Sequence, residues 1–295
     1  MGKLQVSDPT NKVVLVTGAS RGLGRGVARQ FGRFGATVYM TSRPSSEALL
    51  AEAAAEVTAG GGKGVAVPLD QHDPVAVEAL IKRIGEEAGR LDILVNNAAA
   101  APPELARPGA FWEKPLSIGD MIEIGLHTNY ITAYFAAPLM VQRKQGLIAN
   151  ISFYGAVTYF HGPAYGAAKA GTDKMSFDMA LELRPHNVGC VSLWPGFIYS
   201  DAVARFAEAT PKEHLPPTLA SHLAEFERPE FTGLVVNALH EDPALMDLSG
   251  QALIGAELGE RYGIRDLDGK QPLSYRDTMG APLTFLPPDP KRPMG

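Results

Sequence analysis

The run VVLVTGASRGLGRG, residues 13–26, decides how the rest of the chain is read. Val13 to Val16 is a short apolar run of strand-forming residues, and Gly18, Gly22 and Gly24 follow directly. A helical pattern then continues to about Phe34. Glycine permits a tight turn and lets backbone N–H groups approach a pyrophosphate closely, while the helix N-terminus adds the positive end of its dipole. A glycine triplet alone is weak evidence. Placed between a strand and a helix, with Ser20, Arg21 and Leu23 between the glycines, it reads as a phosphate-binding turn.

The same alternation continues outward. Apolar β-runs are expected at 37–40, 65–69, 93–95, 147–151, 188–193 and 252–254, separated by helical stretches such as EALLAEAAAEV and residues 75–88. Short strands spaced by helices imply an α/β fold, a doubly wound parallel sheet flanked by helices with right-handed crossovers. Neither a repeat nor a linker splits the chain, so one domain is expected over 1–280. Residues 98–118 form a long Pro/Ala-rich loop, residues 197–230 are long enough for a mobile flap over a substrate, and 281–295 form a Pro-rich tail.

The chain has 295 residues, 45% of them apolar and 20% charged, ample for a buried core. Its net charge of −5, without a Lys/Arg-dense tract, argues against a nucleic-acid partner. Cys190, the one cysteine, cannot form an internal disulfide, and its setting VGCVSLW reads as core. The start MGKLQVSDPTNK has neither a signal-peptide core nor the serine or threonine of a myristoylation site. No apolar run is long enough for a membrane span, so a cytoplasmic protein is expected. No metal site is expected.

Further marks follow the glycine turn in order. Asp70 and Gln71 follow the third strand, and NNA at 96–98, with Asn97 at its centre, ends the fourth. Tyr165 and Lys169 form Y-x-x-x-K, and WPGFIYS occupies 194–200. Together with the spacing G-x-x-x-G-x-G, this set resembles the short-chain dehydrogenase/reductase family over about residues 10–265. The resemblance implies a single Rossmann domain, a nicotinamide cofactor and hydride transfer between the nicotinamide and a carbonyl or alcohol. It also implies that the Asp70 region meets the adenine. Pro195, Gly196 and Ile198 would fix the carboxamide, and Ser200 the amide or a phosphate. The family's homodimers or homotetramers imply a homo-oligomer.

Tyr165 and Lys169 stand four residues apart and so share a helix face. A neighbouring ammonium should lower the tyrosine pKa and make the phenol a proton donor for carbonyl reduction. Lysine should also reach the nicotinamide ribose. The family's serine lies thirteen residues before its tyrosine, and Ser152 fits that spacing and the pattern S-x-x-G. Its expected role is a hydrogen bond to the substrate oxygen. Counting from the strand instead places Phe153 in that slot. Phe153, Tyr154, His161 and Phe197 are expected to wall the pocket, joined by Tyr159, Phe160, Phe111, Trp112 and Tyr199, which suits an apolar or aromatic carbonyl substrate.

In relatives that use NAD, a carboxylate ending the second strand binds the ribose 2′-hydroxyl. Here Ser42 then Arg43 stand there, and Arg21 lies in the glycine turn, which points to NADP(H) over NAD(H). The run MIEIGLHTNY carries Gly125 where relatives hold an asparagine of a proton relay, and two readings compete: Asn129, one turn on, reaches back and keeps the relay, or the glycine kinks the helix and lets a water enter without a side chain. Two other readings are weaker. An extended-family epimerase would need the spacing G-x-x-G-x-x-G, which is absent, and a catalytically dead redox sensor should have lost the tyrosine or lysine.

Overall fold

A computed structural model describes residues 12–100, 102–211, 214–215 and 217–287. Seven strands form one parallel sheet in the order β3-β2-β1-β4-β5-β6-β7. They are β1 (Val13–Val16), β2 (Thr37–Ser42), β3 (Lys63–Pro68), β4 (Ile93–Asn96), β5 (Gly146–Ile151), β6 (Val188–Trp194) and β7 (Ala252–Ile254). The order reverses between β1 and β4, and at such a switch point the connections diverge and open a crevice at the carboxyl ends of the strands.

Side chains of successive strand residues alternate between faces. Val14 and Val16 therefore join a core under α1 (Gly22–Arg33), α2 (Glu47–Ala59) and α9 (Pro229–Glu241). Val13 and Leu15 join the opposite core under α3 (Pro74–Ala88), α5 (Thr128–Arg143) and α6 (Pro163–Leu183). Both faces of the central strands are covered, which is why β1, β4, β5 and β6 are buried along their whole length and mostly apolar rather than alternating. Cys190 is buried in the second core.

The stretch 98–118, expected as a loop, carries 3₁₀ turns, and the short α4 (Asp120–Ile122) and a π-turn over Glu123–His127 lead from it into α5. The expected flap is partly helical, with α7 (Asp201–Ala209) and α8 (Pro217–His222). After α9 come α10 (Leu245–Leu248) and α11 (Gly255–Tyr262). Residues 1–11 and 288–295, the ends of the expected domain and tail, lie outside the described residues. Among the described residues no helix is long and apolar enough to cross a membrane.

Candidate active site

The glycine turn opens into a cleft of about 510 Å3 at the carboxyl ends of β1, β2 and β4. Gly18 and Gly22 adopt left-handed φ values of 65° and 58°, a conformation that costs other residues energy. The Ala19 N–H donates to the Thr41 carbonyl (2.9 Å), and the Ser42 hydroxyl donates to Ser20 Oγ (2.9 Å), so the turn is stitched to β2. On the other side Thr17 Oγ1 accepts from the Asn97 and Ala98 N–H groups, both at 3.0 Å. No side chain caps α1 and no acidic residue lies in its first turn. Its free N–H groups and dipole are therefore available to an anion. Arg21 and Arg43 line the cleft and make no ion pair among the described residues. The donor set and the cleft's size fit a dinucleotide with its pyrophosphate on the turn.

Gly18, Ser20, Arg21, Gly22, Ser42, Arg43, Asp70, Gln71 and Asn97 are brought together here as expected from the sequence. Leu23 instead packs toward the core, and Gly24 is buried within α1. Pro102, Glu104, Ser117, Asp120 and Ile124, which the sequence did not single out, line the far wall of the cleft. Their only signal was position, in a long segment leaving the strand next to the switch point.

The catalytic end is built where β5 meets α6. Tyr165 and Lys169 share one face of α6, and Lys169 Nζ lies 5.6 Å from the centre of the Tyr165 ring. Lys169 is buried and donates to the Ile151 carbonyl at 3.0 Å. Burial depresses its pKa to about 8, against an upward pull from Asp173. The expected lowering of the Tyr165 pKa is not seen. Burial pushes the phenol up, because the lysine's ammonium is directed at a backbone carbonyl and Tyr165 has no hydrogen-bond partner among the described residues. Asp173, missed in the sequence although it follows Lys169 by one helical turn, accepts from Ser192 Oγ (2.5 Å) and Trp194 Nε1 (3.0 Å).

Ser152 departs from its expected role. Its side chain is 1% exposed, and its hydroxyl donates to the Lys169 carbonyl at 3.1 Å. It thus faces the backbone of α6. The chain stays extended through Phe153 (φ −172°, ψ 164°), so the alternation of β5 persists and Phe153 points the other way. The Phe153 ring lies 6.4 Å from that of Tyr165, 5.1 Å from Phe160 and 5.7 Å from Phe197. Counting from the strand, rather than back from the tyrosine, identifies the residue on the tyrosine side.

Tyr154 is a second correction. It is fully buried, packs edge-on against Trp194 at 5.1 Å, and accepts a hydrogen bond from the Tyr275 N–H (3.0 Å), so it belongs to the core and not to a pocket wall. His161 lies 5.3 Å from the Tyr165 ring and lines a separate pocket of about 170 Å3 with Phe111, Lys114, Leu116 and Tyr159. Phe197 is half-buried and stacks on Phe226 at 5.3 Å. Ser200, expected to meet the cofactor, caps α7 by accepting from the Val203 N–H (3.3 Å). Pro195, Gly196 and Ile198 do not line the large cleft. Ile198 pairs instead with Glu227, a buried residue without sequence signal whose carboxyl is pushed up to about 8 by burial.

Asn129 is buried, and its amide donates to the Gly125 carbonyl at 2.9 Å inside the π-turn. Its own carbonyl accepts from Asn96 Nδ2 (3.1 Å), which also donates to Asn150 Oδ1 (2.9 Å). Asn150 Nδ2 in turn donates to Ser176 Oγ on α6 (2.9 Å). This buried polar ladder ties β4, α5, β5 and α6 together.

The comparisons with known proteins agree with this geometry. A family described as short chain dehydrogenase matches residues 12–211. The chain is 41% identical to human dehydrogenase/reductase SDR family member 1 over 278 residues, 90% of this chain and 86% of that protein. It is 39% identical to the mouse protein of that name, over 92% and 88% of the two chains. A short-chain dehydrogenase/reductase structure from Burkholderia xenovorans superposes with a TM-score of 0.72 at 27% identity, covering 84% of this chain and 96% of the other. One from Mycobacterium marinum superposes at 0.70 and 26%, covering 86% and 97%. A match over most of the sheet, with relatives of two-fifths identity along nearly the whole length, places the chain in the short-chain dehydrogenase/reductase family.

Proposed function

We propose that this chain is an NADP(H)-dependent, carbonyl-reductase-type oxidoreductase that transfers a hydride between nicotinamide and a small apolar or aromatic carbonyl or alcohol. The observation that carries the reading is Tyr165, with an unpartnered phenol, one helical turn from buried Lys169. When bound, the nicotinamide supplies the hydride in the reduction direction. Tyr165 gives its proton to the substrate oxygen as charge develops there, and Lys169 steadies the resulting tyrosinate. Lys169 would also hold the ribose hydroxyls once Nζ leaves the Ile151 carbonyl. Ser152 acts from behind, holding the backbone of α6 at Lys169. Pro195, Gly196 and Ile198 would meet the carboxamide.

Arg21 and Arg43, unpaired among the described residues and placed at the rim beside Ser42, favour a ribose 2′-phosphate. A single catalytic domain over 1–280, with the flap at about 197–230 and the tail at 281–295, is part of the reading. So is a cytoplasmic homodimer or homotetramer, which exposed Tyr130 and Tyr134 on α5 support. The test is the loss of reduced-nicotinamide absorbance with ketones, quinones and aldehydes, using NADPH and NADH separately. Turnover with NADPH preferred is expected. Tight cofactor binding without turnover on any of them identifies a redox sensor instead, and a preference for NADH removes the coenzyme assignment.

A further inference from the structure

We infer that the His161 imidazole supplies the hydrogen bond that holds the substrate's carbonyl oxygen, in the place where serine would be expected; this rests on the carbonyl–alcohol reading above. A carbonyl being reduced needs a donor besides the proton-giving phenol, aimed at the oxygen as its charge grows. Ser152 cannot serve without abandoning the Lys169 carbonyl and turning out of its buried position behind α6. Phe153, on the tyrosine side, has no donor. Three rings stand against Tyr165: Phe153 at 6.4 Å, Phe160 at 5.8 Å and His161 at 5.3 Å. Of these only His161 carries an N–H.

The placement of His161 is over-determined. Its φ of +61° is left-handed, a region that few residues other than glycine enter, though histidine does so more readily than most, and Gly162 follows at +95°. The imidazole packs edge-on against Phe160 at 4.1 Å. Such strain persists where the surroundings enforce it, often at functional sites. The ring has no hydrogen-bond partner among the described residues and opens on the 170 Å3 pocket, whose lining of Leu116, Pro163 and Tyr159 suits one small apolar or aromatic ring. Burial and the neighbouring Lys114 ammonium both hold the imidazole neutral, so it donates one N–H while Tyr165 remains the acid.

Steady-state reduction of acetophenone and 1,4-naphthoquinone by NADPH tests this with four variants. His161→Gly keeps the left-handed backbone and removes the donor, and kcat should fall about 100-fold with the NADPH Kd unchanged. His161→Asn also tolerates that backbone and restores an N–H, so it should recover to within about tenfold of wild type. Ser152→Ala, which removes an anchor of α6, should cost no more than about threefold. Wild-type kcat in His161→Gly, or a 100-fold loss in Ser152→Ala, overturns the inference. Full activity in Tyr165→Phe overturns the underlying reading instead. A second readout needs no turnover: the imidazole 15N resonances of His161 should shift when acetophenone is added to the NADP+ complex. Unmoved resonances, with acetophenone shown to bind by its own line broadening, overturn the inference.

Discussion

The two ends of the cleft are built differently. The phosphate end, from Gly18 to Ser42, is backbone geometry: left-handed glycines, an uncapped helix and strand carbonyls that fix the turn. The catalytic end is side-chain placement: Ser152, Lys169 and Asn129 each bond a backbone carbonyl, and Tyr165 is held among rings. Backbone geometry follows from residue type and spacing, because glycine and strand–helix alternation leave few alternatives. Side-chain placement depends on register, where a shift of one residue reverses the face.

The largest effect is expected at the catalytic end. Tyr165→Phe removes one hydroxyl and leaves the phosphate end intact, so turnover should fall by about 100- to 10,000-fold while cofactor affinity stays within about twofold. Turnover and fluorescence titration of the reduced cofactor check both halves. Near-normal turnover would place the proton donor elsewhere.

That asymmetry accounts for what was legible in the sequence. The strands β1 and β7 fall where the apolar runs placed them, and the shared face of Tyr165 and Lys169 follows from helical period. Orientation at the end of β5 did not follow, because spacing to the tyrosine and spacing from the strand select different residues there. The pleat decides between them, and it turns Ser152 to the helix. Tyr154 looked like a pocket residue because aromatic side chains serve cores and sites equally. Glu104, Asp120 and Glu227 come from segments whose return path over the sheet is tertiary, and no local pattern announces it.

Lys169 sharpens the contrast through pH. Its pKa is depressed from 10.5 to about 8 by burial, so the folded chain sheds the proton before the unfolded chain does. Below about pH 8 both states are protonated and the full cost of burying the charge is present. Between pH 8 and 10.5 the unfolded state binds more protons, and this group's contribution to stability rises with pH. Above 10.5 the gain is complete. The Lys169→Met chain should lack the gain, so the wild-type-minus-variant difference in unfolding free energy should grow by up to about 3 kcal/mol across that window. Urea denaturation at pH 7.5, 9 and 10.5 measures it. A flat difference would mean that Lys169 is solvated, unlike the buried side chain described here.

At the phosphate end the expected effect is smaller and confined to coenzyme choice. Ser42→Asp with Arg43→Leu removes a cation and adds a carboxylate at the ribose rim. One charge-assisted bond is worth about 1.5–3 kcal/mol, so the ratio of kcat/KM for NADPH over NADH should fall by about ten- to a hundredfold. Turnover with the preferred coenzyme should remain. Loss of activity with both would show that the Ser42–Ser20 bond holds the turn together, making this end as dependent on side chains as the other.

The smallest effect is expected at Asn129, and it decides whether the catalytic end extends into α5. The amide of Asn129 satisfies the Gly125 carbonyl inside the π-turn, and Thr172 Oγ1 reaches the same carbonyl at 3.5 Å. Asn129→Ala removes the stronger contact and leaves the carbonyl with the weaker one. The bond to Asn96 is made by the backbone of residue 129 and survives. The cost should therefore be about 1 kcal/mol of stability, a fall in Tm of about 2–4 °C. If the amide only braces the turn, kcat should drop no more than about threefold, since a loosened helix changes the position of Lys169 only indirectly. If the amide instead holds a relay water beside Lys169, kcat for reduction should fall far more than stability does, and the fall should deepen at high pH, where solvent protons to restore the spent phenol are scarcest. Calorimetry and a kcat–pH profile on the one variant separate the two, and a large kcat loss at unchanged Tm would move Asn129 from the scaffold into the catalytic end.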